Sequence, residues 1–418
     1  MKTKVLAVFG SAVVQRLSIL LMTVLATRMV GAVEFGKFAL VYATCTSLSG
    51  FVADGLAATA NKFVATANDE TPPTGVTVGG EIASFAMCIA SFLALTLMVL
   101  APLANAALGA GTDLTNLLRL SGLIVFCLLM NTVLSALLNT FHRNITAAYI
   151  ALFGALALLG CALAGASSHG AVGLCIGFAA GSCLTTIVYV IALYKQRYQF
   201  LQLSHARAFF ASRRFGEFTL PTIATMALGG PVHWLCLSFL ASSENGLRNV
   251  ALFTALFQWY SILTFIPAAL MNFTIPWLSR AAAHDARRFH YSAAAVLAAN
   301  VLLSGALVAC VWVSRDRILA MYGVDFAGET TLLWSMAACG FLASLIAVMN
   351  QIAWARGRSW SNLFSAAVYA GTYVGAALMM IKGFAMGALG LTGAILVASV
   401  AQGAVQGRAF FHQDREHV

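Results

Sequence analysis

Arg16 lies ten residues into an otherwise apolar run, between Val13-Val14-Gln15 and Leu17-Ser18-Ile19. If that run is a helix in lipid, a rise of 1.5 Å per residue puts the guanidinium roughly 15 Å from the near end. An arginine at mid-bilayer costs at least about 2.5–3.5 kcal/mol, so it must face water, a partner or a ligand. Its planar fork of donors suits phosphate oxygens. The alternative is a structural ion pair with Asp54, which the spacing places at a comparable depth in the next apolar run. Asp54 has readings of its own: a proton- or cation-binding group in a wet cavity that couples transport to a gradient, or part of a structural Asp54-Gly55-Leu56 turn.

Further along, Gly229-Gly230-Pro231 should unwind or kink a helix immediately before His233 and Trp234, which makes a gating hinge there. His233 is either a proton or sugar contact or a core histidine bonded to a neighbouring carbonyl. Gln258, Trp259 and Tyr260, with Asn350 and Gln351, offer amides and ring faces suited to sugars, although polar side chains also hold spans together. Arg28, Lys62 and Arg143 sit near span ends, where long basic stems reach headgroups. Phosphate capture at the cytoplasmic mouth is the sharper reading of Lys62 and Arg143. The nine cysteines all fall in apolar runs with no C-x-x-C spacing, so packing is expected of them and neither metal nor redox chemistry. His205 and Glu217 have no nucleophile or metal-ligand spacing beside them, and no Walker A sequence occurs.

The elements that carry these residues follow from composition. Only 9% of the chain is charged against 61% hydrophobic, and the charges cut it into twelve apolar runs: 6–30, 38–60, 81–103, 119–141, 147–167, 172–194, 216–240, 250–274, 291–313, 332–354, 362–381 and 388–410. Each is about the 20 residues that cross hydrocarbon as a helix. Alternating strand patterns are missing, so an all-α integral membrane protein with twelve transmembrane helices is expected. The even-numbered gaps and both termini carry more than twice as many Lys and Arg as the odd-numbered gaps, which places both termini in the cytoplasm. The net charge of +10 is then topology and attraction to lipid headgroups, with no nucleic-acid partner implied. The first run is long enough to span and lacks a clean small-residue cleavage site, so it is expected to stay as a helix. No gap is long enough for a folded extramembrane domain.

The basic stretch around 195–215 separates six runs from six, giving an N-lobe of residues 1–200 and a C-lobe of 201–418. Gly31 and Phe38 match Gly246 and Phe253 at identical spacing at the first turn of each half. Both halves start on the same side, so the two six-helix lobes would be related by a pseudo-twofold axis along the membrane normal, with substrate between them. In that register Arg16 falls opposite Pro231 and Asp54 opposite Ala269. Intramembrane charge is concentrated in the first half. Gly173, Gly177 and Gly181 recur on one helix face, a pattern that permits close approach of another helix.

Gly10-Ser11, Gln15, Arg28, Gly31 and Phe35-Gly36-Lys37-Phe38, then Asp54-Gly55-Leu56 and Asn61-Lys62-Phe63, resemble the start of bacterial polysaccharide-unit flippases. Pro221, Trp259, Pro267 and Pro276 before a basic exit agree in the second half. These belong to the multidrug/oligosaccharidyl-lipid/polysaccharide exporter superfamily, and the chain looks most like its O-antigen flippase branch. The resemblance implies two six-helix bundles in a V around a central cavity. It also implies a substrate of oligosaccharide on undecaprenyl pyrophosphate, turned from the cytoplasmic to the periplasmic leaflet of the bacterial inner membrane for O-antigen or related polysaccharide biosynthesis. A polysaccharide polymerase is an implied partner, membrane lipids are others, and no cofactor is expected beyond a proton or sodium gradient or the membrane potential. Two alternatives remain open at this point. A drug or cation antiporter of the same superfamily would favour an acidic cavity, and a membrane glycan polymerase or ligase would need a long periplasmic loop.

Overall fold

The computed structural model describes residues 2–68, 74–108, 114–194, 203–284, 286–355 and 359–412, with side chains at those positions apart from 2–9, 65, 66, 68, 203, 204, 221, 225, 266, 269–273, 275, 276, 279–284, 286–288, 354, 355, 359–361 and 409–412. The described chain is helical, and the apolar runs fall on helix, with 216–240 broken at Leu228-Gly229. In order the helices are α1 (Lys2–Val30), α2 (Ala32–Asn68), α3 (Gly75–Leu108), α4 (Thr115–Thr140), α5 (Asn144–Tyr194), the short α6 (Leu203–Phe210), α7 (Leu220–Ala227), α8 (Gly230–Ala241), α9 (Gly246–His284), α10 (Ala286–Tyr322), α11 (Thr330–Ala355), α12 (Ser359–Ala377) and α13 (Gly387–His412). Among the described residues, nine helices are long and apolar enough to cross a bilayer.

The chain is an all-α integral membrane protein, and its exterior shows why. On α3 the buried stripe is small and apolar, Ala86, Ala90, Ala94 and Ala101, while the opposite stripe of Phe92, Leu95, Val99 and Leu103 is exposed, Val99 at 74% and Leu103 at 68%. Both stripes have helical spacing. A water-soluble helix would charge its outer face, whereas here both faces are apolar, and only lipid accepts the larger side chains outside.

α5 holds two expected spans in one element of 51 residues, interrupted by the non-helical His169 and Gly170. Its halves fold back on each other as an antiparallel hairpin. A Cβ built on Gly173 would lie 1.9 Å from the Gly165 carbonyl oxygen, one on Gly177 2.0 Å from that of Cys161, and one on Gly181 2.5 Å from Leu158 Cα. The glycine face thus sets backbone against backbone, as its spacing implies.

Contacts divide the chain after Trp234 into a unit of Met1–Trp234 and a unit of Leu235–Val418. Within the first, α4 packs on α2, α3 and α5, and α1 packs on α5; within the second, α11 packs on α9, α10 and α13, and α12 on α13. The division falls beyond the basic stretch near residue 200 because the segment after it runs along α2. Thr59 donates to Thr219 at 3.0 Å, a Cβ on Gly55 would meet Ile223, and the Trp234 indole donates to Thr44 Oγ1 at 2.9 Å. The Gly229-Gly230-Pro231 break is present: α7 ends at Ala227 and α8 begins at Gly230.

The turn match between halves is looser in structure than in sequence. Gly31 closes the α1–α2 turn with φ 79°, but in the second unit the left-handed residue is Asn245. Gly246 is needed there for a different reason, since a Cβ would lie 2.0 Å from the Ala241 carbonyl oxygen.

Candidate functional site

Arg16 is half-buried on α1, and its Nε is enclosed with no hydrogen-bond partner. No carboxylate among the described residues lies within ion-pair distance of it. Its electrostatic neighbour is the Tyr42 hydroxyl on α2. Tyr42 is fixed by rings, stacked on Phe38 at 5.9 Å and edge-on to Phe178 at 5.5 Å. The result is a rigid wall carrying a cation with unused donor capacity, a setting that suits an incoming anion.

The expected depth match with Asp54 does not hold. α1 and α2 run antiparallel from Gly31, so Arg16 lies across from Tyr42 and Thr46, and Asp54 is eight to twelve residues further toward the C-terminal end of α2. At 1.5 Å per residue that is roughly 12–18 Å. Asp54 is exposed and makes no ion pair with Arg16. The two groups are not a structural pair.

Next to Arg16 in sequence, Gln15 joins the lining of a partly open cavity of about 510 Å³ in the first unit, formed by α1, α2, α4 and both halves of α5. Its polar lining is Gln15 and Ser18 from α1, Thr46 and Ser49 from α2, and Asn131, Thr132 and Ser135 from α4. Ser182, Thr185 and Tyr189 complete it from α5. None of the lining residues is charged. Asn131 ties α4 to α5, donating to the Ser182 carbonyl at 3.3 Å and accepting from Thr186 Oγ1 at 2.9 Å. These residues were not singled out from the sequence, because serines and threonines in spans commonly bond back to their own helix. A signal was present: 131, 132 and 135, and 182, 185 and 189, are polar positions at helical spacing inside apolar runs.

The remaining candidates are dispersed. Arg28 is exposed in the last turn of α1, where a cation complements the helix dipole. Lys62 is exposed at the other end of the unit, its ammonium 4.0 Å over the Phe218 ring and 5.2 Å from that of Phe63. Arg214 ion-pairs Glu81 at 4.0 Å nearby. Arg143 is exposed in the α4–α5 turn, following His142 at φ 60°. His233 is half-buried one turn past the α7–α8 break.

In the second unit Gln258 is buried, and Trp259 is half-buried beside the Tyr322 hydroxyl, which donates to the Ala255 carbonyl at 3.2 Å. Gln351 donates to the Pro267 carbonyl at 2.9 Å and accepts from Thr274. Asn350 accepts from Gln406 through its side chain and from Asn362 through its carbonyl. Of the three amides expected to meet sugar, Asn350 and Gln351 are engaged in joining α9, α11, α12 and α13, the alternative role such residues have in lipid. Among the described residues no group of three or more His, Cys, Asp or Glu could hold a metal.

Comparison with known proteins gives this geometry its family. A family described as polysaccharide biosynthesis protein matches residues 1–282, two thirds of the chain and all of the unit that carries Arg16 and the cavity. The chain belongs to that family. It is 26% identical over 400 residues to the EPS I polysaccharide export inner membrane protein EpsE of Ralstonia nicotianae, covering 91% of this chain and 87% of that one. The EpsE of Ralstonia solanacearum matches equally well. In fold, the chain superposes on an inward-facing multidrug resistance MATE family transporter of the MOP superfamily with a TM-score of 0.77, at 15% identity over 94% of this chain and 93% of that one. It superposes on the lipid II flippase MurJ in an inward closed conformation with a TM-score of 0.76, at 14% identity over 94% and 86%. The chain thus shares one helical architecture with a drug transporter and a lipid flippase.

Proposed function

We propose that this chain is a flippase of the bacterial inner membrane that turns an oligosaccharide on undecaprenyl pyrophosphate from the cytoplasmic to the periplasmic leaflet by alternating access, for O-antigen or a related exported polysaccharide. The observation that carries the reading is Arg16, an intramembrane guanidinium with an enclosed, unbonded Nε and, among the described residues, no carboxylate in ion-pair distance. Its insertion cost is offset when a pyrophosphate supplies the anion, and a bidentate contact is the geometry the fork provides. A cation or drug antiporter with the same architecture would be opposed by that charge. The relatives' names concern export, which fits a carrier better than an enzyme.

In this reading the chain crosses twelve times, with both termini cytoplasmic and two six-helix lobes of residues 1–200 and 201–418. α5 supplies two crossings, and residues 215–241 supply the seventh. A membrane potential negative inside favours outward movement of the anionic head by up to about 2.3 kcal/mol per charge per 100 mV, so no nucleotide site is required. Asp54 couples the cycle to a proton or sodium gradient, and a polymerase receives the product.

The test is glycan export in cells whose own gene is deleted. Arg16→Ala is expected to abolish export at normal protein level, and Arg16→Lys to keep a part of it, because charge survives while the bidentate geometry is lost. Full export by Arg16→Ala would remove the ground for the reading.

A further inference from the structure

The cavity of the first unit is not accounted for by a pyrophosphate site, since an anion gains little from it. Of the hydroxyls on its wall, Thr46 donates to the Tyr42 carbonyl at 2.9 Å, Ser49 to that of Cys45 at 2.7 Å, Thr132 to that of Leu128 at 3.1 Å and Thr185 to that of Gly181 at 2.8 Å. Each has given its proton to its own helix, so what it turns toward the cavity is lone pairs. The wall is therefore rich in acceptors and uncharged, which disfavours phosphate and favours a neutral group with many hydroxyl or amide donors.

A second observation points to a ligand independently. Ser182 is 1% exposed, lines the cavity, and its Oγ has no hydrogen-bond partner. A buried hydroxyl left unpaired carries a desolvation cost, which is relieved when a donor or acceptor enters beside it. The volume of about 510 Å³ lies within the span of small-molecule sites. Gln15 lines the cavity yet is exposed, and it adjoins Arg16, while Thr46 on the wall is one helical turn from Tyr42, the neighbour of Arg16.

We propose that this cavity is a glycan subsite, which receives the neutral, hydroxyl-rich sugar attached to the pyrophosphate while Arg16 holds the phosphates. The proposal rests on the flippase reading and deepens it by separating two jobs: Arg16 recognises the carrier, and the cavity recognises the sugar. Selectivity among glycans then resides inside one bundle.

Equilibrium binding to the full chain in nanodiscs tests this with two radiolabelled probes, undecaprenyl pyrophosphate and the same carrier bearing one N-acetylhexosamine. The unmodified protein is expected to bind the sugar-bearing probe about tenfold more tightly than the bare one. Ala155→Phe, which fills the cavity from α5, is expected to erase that difference and leave the bare carrier unaffected. Ser182→Ala, which only removes the hydroxyl, is expected to reduce the difference several-fold and serves if the larger substitution does not fold. Arg16→Ala should weaken both probes alike. No difference between probes in the unmodified protein, or a difference that survives Ala155→Phe, overturns the glycan subsite while Arg16-dependent carrier binding leaves the flippase reading standing. A difference abolished by sodium but not by potassium would assign the cavity to a cation and also overturn it. Failure of the unmodified protein to bind either probe overturns both readings.

Discussion

An arginine and an aspartate in adjacent antiparallel spans invite an ion pair, and register is the reason none forms. Counting from Gly31 sets Arg16 against Tyr42 and Thr46, two to three turns of α2 away from Asp54. Each charge therefore has to be accounted for by its own surroundings. Asp54 shares an exposed face of α2 with Asn61 and Lys62, and in the proposed orientation that face is reached from the cytoplasmic side. Asp54→Asn is nearly isosteric, and in liposomes it is expected to leave carrier binding intact while removing the response of transport to an imposed proton or sodium gradient. A variant whose transport still follows the gradient would reduce Asp54 to a structural residue. The separation also makes a stability prediction. Side chains more than about 7–10 Å apart with no shared partner behave additively within about 0.3–0.5 kcal/mol. Denaturation of Arg16→Met, Asp54→Leu and the double variant should therefore show no rescue, and a coupling above about 1 kcal/mol would restore the ion-pair account.

At the scale of elements, the α5 hairpin shows which sequence signals survive folding. Glycines at intervals of four announced a close helix contact, and the contact is there, with Gly177 against the Cys161 carbonyl. Gly177→Leu has to separate two backbones, so it is expected to destabilise the protein by about 1–3 kcal/mol or more by the usual cost of overpacking. Gly160→Leu is the control on the same hairpin, because nothing lies within 4 Å of a Cβ there. It should stay within about 0.5 kcal/mol of the parent. Fluorescence-detected thermal unfolding in detergent separates the two, and equal melting of both variants would refute the backbone contact. The Gly229-Gly230-Pro231 break was equally legible, since a missing amide and two flexible residues admit few alternatives. The cavity was not. Its hydroxyl residues are the ones that satisfy themselves locally in any apolar helix, so sequence could not distinguish Ser182, which is left unpaired, from Thr185, which is not. For Asn350 and Gln351 the sequence left two roles open for the converse reason: an amide that could meet a sugar meets another helix equally well, and here both bond to neighbouring helices.

For the whole molecule, the orientation is an expectation drawn from basic residues, which translocate poorly, whereas the apolar runs were readable because hydrocarbon thickness fixes their length. The division of the chain was less so, as residues after the basic stretch pack along α2 rather than beginning a separate body. Orientation governs the functional argument. If both termini are cytoplasmic, Lys62, Arg143 and the cluster of Arg207, Arg213 and Arg214 all face the side where lipid-linked sugars are assembled, and Arg28 faces the side of release. Basic residues concentrated at the entry side attract an anionic headgroup over about a Debye length, and the membrane potential then favours its departure. Reversed, the same charges would hold the product at its exit and the potential would oppose the step. Reporter fusions decide between these. Alkaline phosphatase joined after residues near 110, 244 and 320 should be active, as expected of periplasmic turns, while fusions near 212 should be inactive there and fluoresce as cytoplasmic green fluorescent protein fusions. Active phosphatase at 212 with inactive fusions at the other three would invert the molecule and remove the electrostatic case for outward transport.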